Sequence, residues 1–331
     1  MKAWQLDHQA PVETRPLVLR DVPVPEPDPG EVRIRVRANA LCRTDLHVVE
    51  GDLAPHRLPL TPGHQIVGVV ETLGEGATRF HPGDRVGVPW LRGTCGACRF
   101  CRSGRENLCE RALFTGWDAD GGYAEYAIAP EAFVYRLPEG FDDEQAAPLL
   151  CAGIIGYRAL RLTELEHGGR LGFYGFGSSA HVTIQVARTR GMEVAVLARS
   201  AKDRAVAEEL GAVWTGGTDE RPPWPLDAAI IFAPAGELVA AGLAAVDKGG
   251  TVVCAGIHMS AIPAFDYELL YDERVLRSVA NNTRADGEAF LGEAADIPVR
   301  TRVTALGLDE AQEALVRLKG QGFDGSAVIV P

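Results

Sequence analysis

Four cysteines stand close together between Cys95 and Cys109, in the spacing C-x2-C-x2-C-x7-C. Four thiolates at such intervals can surround one tetrahedral zinc ion. Because a site closed by four protein ligands leaves no position for substrate, the pattern predicts a structural zinc bound by Cys95, Cys98, Cys101 and Cys109. An iron–sulfur cluster is the alternative, although ferredoxin-type runs usually continue with proline, where this chain has Glu110.

A second group of reactive side chains is dispersed along the chain. A thiol, a hydroxyl, a carboxylate and an imidazole occur within residues 42–47, and His64 and Cys151 add a further imidazole and thiol. A single histidine or cysteine is more often a packed residue than a ligand. Spacing alone therefore does not group Cys42, His64 and Cys151 into one site.

The segment Gly175–Ala180 matches the dinucleotide-binding pattern G-x-G-x-x-A, and it lies between a predicted strand and a predicted helix. Gly175 permits the tight turn, Gly177 lets a pyrophosphate approach the backbone, and Ala180 allows close packing of helix on strand. The N-terminus of the helix favours the phosphate charge. The alternative is an ordinary glycine-rich turn between a strand and a helix.

The end of the next strand distinguishes between the two nicotinamide cofactors. NAD sites usually carry an Asp or Glu there, about 20 residues after the turn, to bind the ribose hydroxyls. This chain has Arg199 and Ser200 instead. Arginine can pair with a 2′-phosphate and serine can hydrogen-bond it. The sequence therefore favours NADP(H) over NAD(H), with a solvated arginine at a strand end as the alternative.

The elements that must position these residues fall into two parts. Before about residue 150 the chain is rich in turns, with strands predicted at Glu31–Ala38 and Gln65–Leu73. Beyond it strands and helices alternate, which predicts right-handed crossovers and a parallel sheet. The predicted strands of that sheet are Leu171–Tyr174, Glu193–Ala198, Leu226–Ala233, Thr251–Ala255 and Ser278–Asn282. The predicted helices are Ser178–Arg190, Ala201–Leu210 and Glu237–Val246. A last helix, Asp309–Lys319, and strand, Ala327–Val330, are expected to return to the first part.

Composition excludes several classes of protein. The 331 residues suffice for about two domains, and 33 Lys and Arg against 45 Asp and Glu give a net charge of −12. A hydrophobic content of 46% supports a sizeable core and excludes disorder, while the acidic balance disfavours nucleic acid as a partner. No apolar run approaches the ~20 residues of a membrane span, and the N-terminus lacks the apolar core of a signal peptide. Seven cysteines, an odd number, disfavour a disulfide framework, so we expect a cytoplasmic protein.

Together these stretches resemble the zinc-dependent alcohol dehydrogenases of the medium-chain dehydrogenase/reductase superfamily, in the bacterial branch near the cinnamyl alcohol dehydrogenases. The resembling segments are Cys42–His47, Pro62–His64, Gly83–Val86, Cys95–Cys109, Gly121–Tyr126, Cys151–Gly153 and Gly175–Ala180. The resemblance implies an α/β protein with two domains. Residues 1–150 with 286–331 would form a β-rich GroES-like catalytic domain carrying the zinc lobe, and residues 151–285 a Rossmann domain with a doubly wound parallel sheet.

The resemblance also implies a catalytic metal. Cys42, His64 and Cys151 would bind a second zinc ion, giving two per chain, and the open fourth position would take water or the alcohol. The metal lowers the pKa of the alcohol, and hydride passes to the nicotinamide ring. Thr44 would take the alcohol proton, which reaches His47 through a ribose hydroxyl of the cofactor.

Further positions follow from the same resemblance. Asp45 would hydrogen-bond a zinc-ligand histidine, with a helix N-cap as the alternative, and Arg43 would contact the cofactor pyrophosphate. Trp90 and Trp117 match aromatic residues that narrow the substrate pocket, with core packing as the alternative.

The chain departs from the family at one buried charge. The family usually has a glutamate after the ligand histidine, near an arginine close to the C-terminus, whereas this chain has Gln65 and Ser326 at these positions. The ligand set itself is unchanged, so we still expect zinc to bind, without a negative charge behind it.

The expected function is that of a zinc-dependent NAD(P)(H) alcohol dehydrogenase or aldehyde reductase. Primary aromatic or aliphatic alcohols and aldehydes are the expected small-molecule substrates, and a homodimer or homotetramer is the expected assembly. The alternatives are a zinc-independent quinone or enone reductase on the same fold, and a non-catalytic dinucleotide-binding protein. Cys42, His64 and Cys151 argue against the zinc-independent reductase, because its chemistry needs no metal ligands at these positions. Thr44 and His47 argue against the non-catalytic protein, because it needs no proton relay.

Overall fold

The computed structural model describes residues 1–297 and 299–331. In chain order the helices are α1 (Arg43–Glu50), α2 (Arg99–Arg102), α3 (Asp143–Ala146), α4 (Ala152–Leu162), α5 (Ser178–Thr189), α6 (Ala201–Glu209), α7 (Leu238–Ala245), α8 (Arg284–Asp296) and α9 (Ala311–Gly320). The strands up to residue 136 are β1 (Lys2–Leu6), β2 (Leu17–Asp21), β3 (Glu31–Ala40), β4 (Ile66–Leu73), β5 (Arg85–Val88), β6 (Leu91–Gly93), β7 (Leu113–Phe114), β8 (Tyr126–Pro130) and β9 (Tyr135–Arg136). The later strands are β10 (Arg170–Tyr174), β11 (Glu193–Leu197), β12 (Trp214–Gly216), β13 (Leu226–Ile231), β14 (Val246–Cys254), β15 (Val275–Ser278), β16 (Val303–Gly307) and β17 (Ser326–Val330).

By its internal contacts the chain divides into two compact units. Unit 1 comprises Met1–Cys151, Thr283–Ala295 and Arg300–Pro331, and unit 2 comprises Ala152–Asn282 with Asp296–Val299. The domain boundaries predicted from the sequence, after residues 150 and 285, lie within a few residues of the points where the chain passes from unit 1 to unit 2 and back. None of the helices in the described ranges has the length and apolar character that a membrane crossing requires.

Unit 1 is built on a mixed sheet with the order β16-β17-β3-β4-β5-β9, in which β8 also pairs with β3. Strand β3 shows the alternation predicted from the sequence, because Val32, Ile34 and Val36 are buried while Arg35 and Arg37 are exposed. The buried side chains pack into a core with residues of β4, β5 and β8. Packing in this core and the pairing of β3 with β4 fix the position of the chain where β3 ends and β4 begins.

The C-terminal segment returns to this sheet, as expected. Strand β17 runs antiparallel to β3, with Ile329 opposite Asn39, and parallel to β16. The predicted helix at Asp309–Lys319 begins with a 3-10 turn and continues as α9. Leu315 of α9 is fully buried in a second core of unit 1, which it shares with Leu46 of α1.

Unit 2 carries a parallel sheet with the order β12-β11-β10-β13-β14-β15. This is the doubly wound order, and its strand order reverses between β10 and β13. The predicted strands from Leu171 to Ala233 and the helices between them lie within a residue or two of α5, α6, β10, β11 and β13. The short strand β12 is not apparent in the sequence, and β14 begins earlier than predicted because Val246 pairs with Leu226.

The last strand of unit 2 was predicted in the wrong place. It lies at Val275–Ser278 rather than Ser278–Asn282. The amide of Val279 still donates to the carbonyl of Cys254 at 2.9 Å, but Asn281 has a φ of 55°. A left-handed residue cannot continue an extended strand, so the chain leaves the sheet there.

The start of α8 is tied to the cysteine-rich lobe by one carboxylate. Glu106 accepts hydrogen bonds from the backbone N, Nε and Nη2 of Arg284 at 2.9, 3.0 and 2.7 Å. Thr283 and Asp286 cap the same helix reciprocally, with the Asp286 side chain accepting from the Thr283 amide at 2.9 Å. Burial opposes the charge on Glu106, but the hydrogen bonds and charge of Arg284 lower its pKa below the usual range.

Replacing Glu106 by glutamine should destabilise the protein by about 1–2 kcal/mol at pH 7, because a neutral amide cannot form the charge-assisted bonds to Arg284. The pKa of Glu106 is lowered on folding, so its contribution is present above the unfolded pKa and is lost as pH falls through the folded one. Urea unfolding should therefore show the native protein and Glu106→Gln converging below a pH of about 4.5.

The matched control is Glu313→Gln, since Glu313 pairs with Arg15 on the surface, where the two side chains are 58% and 61% exposed. We expect a loss much smaller than that of Glu106→Gln, because water screens an exposed ion pair. Equal losses in the two variants, or a gap that persists in acid, would refute the role given to Glu106.

Candidate functional site

Three dispersed residues, Cys42, His64 and Cys151, meet in unit 1. Their sulfur and ring nitrogen atoms lie within 4.8 Å of one another. The antiparallel pairing of β3 and β4 explains this, because Asn39 lies opposite Ile66, which puts Cys42, just after β3, beside His64, just before β4. Cys151 follows a buried 3-10 turn that ends at the same place. The register of the sheet thus groups residues that sequence spacing leaves apart.

Asp45 holds the histidine of this cluster. Its Oδ1 lies 2.8 Å from Nδ1 of His64, and its Oδ2 accepts from the backbone amide of Cys42 at 2.9 Å and from the Tyr123 hydroxyl at 3.0 Å. The N-cap of α1 is Cys42, so the alternative prediction of Asp45 as the N-cap is wrong. Asp45 stands at the third helical position, where it accepts from the Cys42 amide and also contacts the imidazole. Asp45 and His64 are about 1% exposed or less.

The opposite nitrogen of His64 is unsatisfied. Nε2 is fully buried and has no hydrogen-bond partner with acceptable geometry among the described residues. Burying such an atom without a partner costs about 1–3 kcal/mol. A metal ion bound at Nε2, with the two sulfur atoms beside it, would satisfy it. Two sulfurs and one nitrogen with an open fourth position form a donor set known from catalytic zinc in alcohol dehydrogenases.

The electrostatics of the cluster favour a cation. A hydrogen bond with Cys151 lowers the pKa of Cys42 well below its usual range, and the same bond together with burial raises the pKa of Cys151. For His64, burial opposes the charged form, but the Asp45 carboxylate and the Cys42 sulfur outweigh it and raise the pKa to about 10. A divalent cation entering here would displace protons from His64 and Cys151.

Helix α1 presents two of the predicted proton-transfer groups beside the cluster. Thr44 is buried, and its Oγ1 lies 3.7 Å from Sγ of Cys42. His47 is one turn further on, on the same face of the helix. Nδ1 of His47 lies 2.7 Å from Oδ2 of Asp52, and its side chain is 17% exposed. Arg43, at the start of α1, is exposed.

Sequence reasoning missed Asp52. The only local signal was an acidic residue directly after Gly51, the left-handed residue that ends α1. It also gave no role to Tyr123, whose link to Asp45 crosses 78 residues of sequence.

Four aromatic rings lie next to the Cys42–His64–Cys151 cluster and are called the aromatic wall: Trp90, Phe114, Trp117 and His56. The ring of Trp90 meets that of His64 edge-on, with centroids 5.0 Å apart. Trp90 stacks with Phe114 at 5.0 Å and with Trp117 at 6.0 Å, and His56 stacks on Trp117 at 4.5 Å. The structure thus brings the two predicted tryptophans together. It adds Phe114, from β7, and His56, from the segment between α1 and β4, to which the sequence analysis gave no role.

The cysteine-rich lobe brings its four thiols together as well. The sulfur atoms of Cys95, Cys98, Cys101 and Cys109 lie within 4.8 Å of one another, and no disulfide joins the cysteines of the described chain. Backbone amides surround the sulfurs, for example Cys98 N at 3.3 Å from Sγ of Cys95. Amides of Ala97 and Cys98 lower the pKa of Cys95 to about 5, and burial raises that of Cys101 to about 11. Four convergent sulfurs fit a closed tetrahedral zinc site.

The turn between β10 and α5 in unit 2 fits a pyrophosphate. Gly175 has a φ of 91°, and a Cβ there would lie 2.8 Å from the amide nitrogen of Ala233, so only glycine fits. A Cβ on Gly177 would meet nothing within 4 Å, which leaves open space over the start of α5. Within the described residues no side chain caps the N-terminus of this helix. Ala180 is fully buried.

The predicted cofactor-selecting residues follow β11. Arg199 and Ser200 are both exposed at its carboxyl end. Oγ of Ser200 caps α6 by accepting from the amide of Asp203 at 3.4 Å. Arg199 is therefore the better placed of the two to meet a phosphate from solvent.

Comparison with known proteins decides the family. The model of the alcohol dehydrogenase GroES-like domain matches residues 28–139. A protein of Mycobacterium tuberculosis (strain CDC 1551 / Oshkosh) named "Probable alcohol dehydrogenase AdhA" is 50% identical to this chain. The match covers 100% of this chain and 97% of the length of that protein. The chain belongs to the zinc-dependent medium-chain alcohol dehydrogenase family.

Solved structures of alcohol dehydrogenases share its fold. The cinnamyl alcohol dehydrogenase SbCAD4 from Sorghum bicolor is 27% identical with a TM-score of 0.89, covering 99% of this chain and 97% of its own. A thermostable alcohol dehydrogenase from Pyrobaculum aerophilum with cobalt and zinc bound is also 27% identical with a TM-score of 0.89, covering 100% and 99%. The predicted combination of a Rossmann sheet with a GroES-like domain is thereby confirmed.

Within this alcohol dehydrogenase family, the departure at Gln65 has a structural explanation. Gln65 is 2% exposed, and its Nε2 donates to the carbonyl of Ala40 at 3.0 Å, a bond that an ionised glutamate could not make. Ser326 is buried on β17. Because Gln65 and Ser326 are both uncharged, the buried carboxylate that contacts His64 of the cluster is that of Asp45.

We expect two zinc ions per chain in elemental analysis of the native protein, one for each cluster.

Cys151→Ser should lose one ion with little change in thermal unfolding, since its cluster has an open position and lies on a preformed sheet edge. Cys98→Ser should also lose one ion, but with a Tm lower by about 5 °C or more, because a closed thiolate site holds its lobe together. Identical behaviour of the two variants would refute this division, and a brown protein containing iron would refute zinc in the lobe.

Proposed function

We propose that this protein is a zinc-dependent NAD(P)(H) alcohol dehydrogenase that interconverts primary alcohols and aldehydes. The observation that carries the proposal is the buried, unsatisfied Nε2 of His64 beside the sulfurs of Cys42 and Cys151. A packing role would leave no reason to bury this nitrogen unpaired. A zinc-independent reductase would need neither thiol next to it.

Zinc bound at this cluster supplies a Lewis acid that makes an alcohol hydroxyl acidic near neutral pH. The protein then has to receive the proton. Oγ1 of Thr44 is the hydroxyl nearest the cluster on α1, and a hydroxyl can accept one proton while donating its own. His47, partly exposed and held by Asp52, can pass a proton to solvent, because an imidazole ring can both accept and donate a proton.

Asp45 fixes which histidine nitrogen faces the metal. Its hydrogen bond to Nδ1 leaves Nε2 directed at the two sulfurs, and it raises the basicity of the ring as a ligand. The same carboxylate also holds Tyr123 and the amide of Cys42, so one group fixes several parts of the site. Such preorganisation limits reorganisation during turnover.

The aromatic wall favours planar substrates. Trp90, Phe114 and Trp117 present near-parallel rings beside His64, with interplanar angles of 6° to 25°. Flat rings attract a flat aromatic alcohol by stacking and exclude bulky branched ones. Benzylic, cinnamyl and slim aliphatic primary alcohols are therefore the proposed substrate class.

The nicotinamide cofactor supplies the hydride acceptor or donor. Gly175 and Gly177 leave room for its pyrophosphate at the start of α5, where backbone amides can donate to phosphate oxygens. We propose NADP(H) as the preferred form, because the strand end carries Arg199 where NAD sites carry an acid.

The function is tested with the zinc-loaded protein and a panel of primary alcohols, with NAD⁺ and NADP⁺. We expect turnover, and we expect Thr44→Val to lower kcat about 10²- to 10⁴-fold, because valine keeps the shape but cannot accept a proton. Thr14→Val is the matched control, since Thr14 is exposed and bonds only locally to Pro11. Absence of turnover in the native protein, or an unaffected Thr44→Val, would overturn this assignment.

Cofactor preference provides a separate prediction. Arg199→Ala should reduce kcat/KM with NADPH about 10- to 100-fold, the value of one or two charge-assisted hydrogen bonds, and leave kcat/KM with NADH within about twofold. The NADH value in the same variant is the internal control. A native preference for NADH, or equal losses with both cofactors, would contradict the role given to Arg199.

A further inference from the structure

The indole of Trp117 in the aromatic wall is held by the segment between α1 and β4. Its Nε1 donates to the carbonyl of Ala54 at 2.9 Å, and the ring of His56 stacks on it with centroids 4.5 Å apart and planes at 27°. A tryptophan side chain turns about two bonds, so a stacked ring and a bonded nitrogen together leave it one orientation. In that orientation its plane lies at 6° to the plane of Trp90, the ring that meets His64.

Asp118 holds His56 in place. Its Oδ1 is paired with Nδ1 of His56, and its Oδ2 accepts from the backbone amide of Phe114 at 2.7 Å. The side chain of Asp118 is 8% exposed, whereas that of His56 is 55% exposed. An exposed ion pair usually contributes little, because ordering two mobile side chains offsets the attraction between them. Here the carboxylate is already fixed by the Phe114 amide, so the pair has to order only the imidazole.

The loop that carries His56 is joined to the loop that carries Trp117 by further bonds. Oδ1 of Asp120 accepts from the amide of Thr61 at 2.8 Å, and the amide of Gly121 donates to the carbonyl of Thr61 at 2.7 Å. These bonds do not involve the imidazole. Removing the imidazole should therefore free the ring of Trp117 and leave the backbone of both loops in place.

We propose that His56 is a positioning residue for substrate selection and that it acts through Trp117. With the indole fixed nearly parallel to Trp90, the aromatic wall offers a flat surface on which a planar alcohol can stack and a branched one cannot. Without the imidazole the indole can turn, and the flat surface is lost. This inference rests on the proposed function and adds to it the pair, His56 and Asp118, that keeps the wall flat.

The test compares benzyl alcohol, which is planar, with neopentyl alcohol, which is branched, in the zinc-loaded protein with its preferred cofactor. We expect the native protein to prefer benzyl alcohol. His56→Ala should lower that preference in kcat/KM about 3- to 10-fold, the value of one aromatic contact, through a higher KM for benzyl alcohol with kcat little changed. Trp117→Ala should lower it at least as much, and adding His56→Ala to Trp117→Ala should have no further effect, because the two residues act as one unit.

The matched control is His81→Ala. His81 is also an exposed histidine near an aspartate, with its Nδ1 3.9 Å from Oδ2 of Asp84 in the turn between β4 and β5, and its removal should leave the preference unchanged. Three results would overturn the inference: a native preference for neopentyl alcohol, an unchanged preference in His56→Ala, or a full additional effect of His56→Ala in the Trp117→Ala background. Equal losses in His56→Ala and His81→Ala would do so as well.

A measurement without substrate separates this inference from the proposed function. The protein is labelled with fluorotryptophan, and the fluorine NMR signal of Trp117 is identified by its loss in Trp117→Phe. We expect His56→Ala to move that signal towards its position in the unfolded protein, because the freed ring samples several orientations, and His81→Ala to leave it in place. An unmoved signal in His56→Ala would overturn the positioning role whatever the activity. A moved signal in a protein that oxidises no alcohol would refute the proposed function, and the role in substrate selection with it.

Discussion

The buried carboxylate of Asp45 is the constraint on which the arrangement of the candidate site in unit 1 depends. It meets three groups from three parts of unit 1: the ring of His64, the backbone amide of Cys42 and the hydroxyl of Tyr123. Burying a charge is tolerable only where hydrogen bonds and an opposite charge compensate it. That requirement orients His64 and fixes the start of α1 together, so His64, Cys42 and Thr44 are positioned by the same interaction.

The two units use the edges of their sheets in a similar way. In unit 1 the register of β3 on β4 brings Cys42 to His64. In unit 2 the carboxyl ends of the parallel strands carry Gly175 and Arg199. Each sheet supplies a rigid edge, and the reactive groups stand on the short segments that leave it. In unit 1 the buried Nε2 of His64, which has no partner among the described residues, indicates where a bound group would complete the site.

Local patterns predicted much of this structure, and long-range register set the rest. The alternation in β3, the glycine-rich turn before α5 and the four clustered cysteines are each readable within a short segment. The approach of Cys42 to Cys151 is not, because it depends on how sheets pair over more than a hundred residues, and only family resemblance grouped them. Tyr123 was missed for the same reason, since 78 residues separate it from Asp45, whereas Asp52 was missed although it lies just beyond the end of α1 that carries His47. The strand at Val275–Ser278 was misplaced because Val279 and Ala280 read as extended, while the left-handed turn at Asn281 left no local mark in the sequence.

We propose that Cys42, His64 and Cys151 form an open metal site in which Asp45 orients the histidine. Anomalous diffraction at the zinc absorption edge, from crystals of the zinc-loaded protein, tests this most directly. We expect a peak about 2.0–2.1 Å from Nε2 of His64 and about 2.3 Å from the sulfurs of Cys42 and Cys151, with a non-protein ligand in the fourth position. No peak at this cluster, a metal bound through Nδ1 of His64, or a disulfide between Cys42 and Cys151 would contradict it.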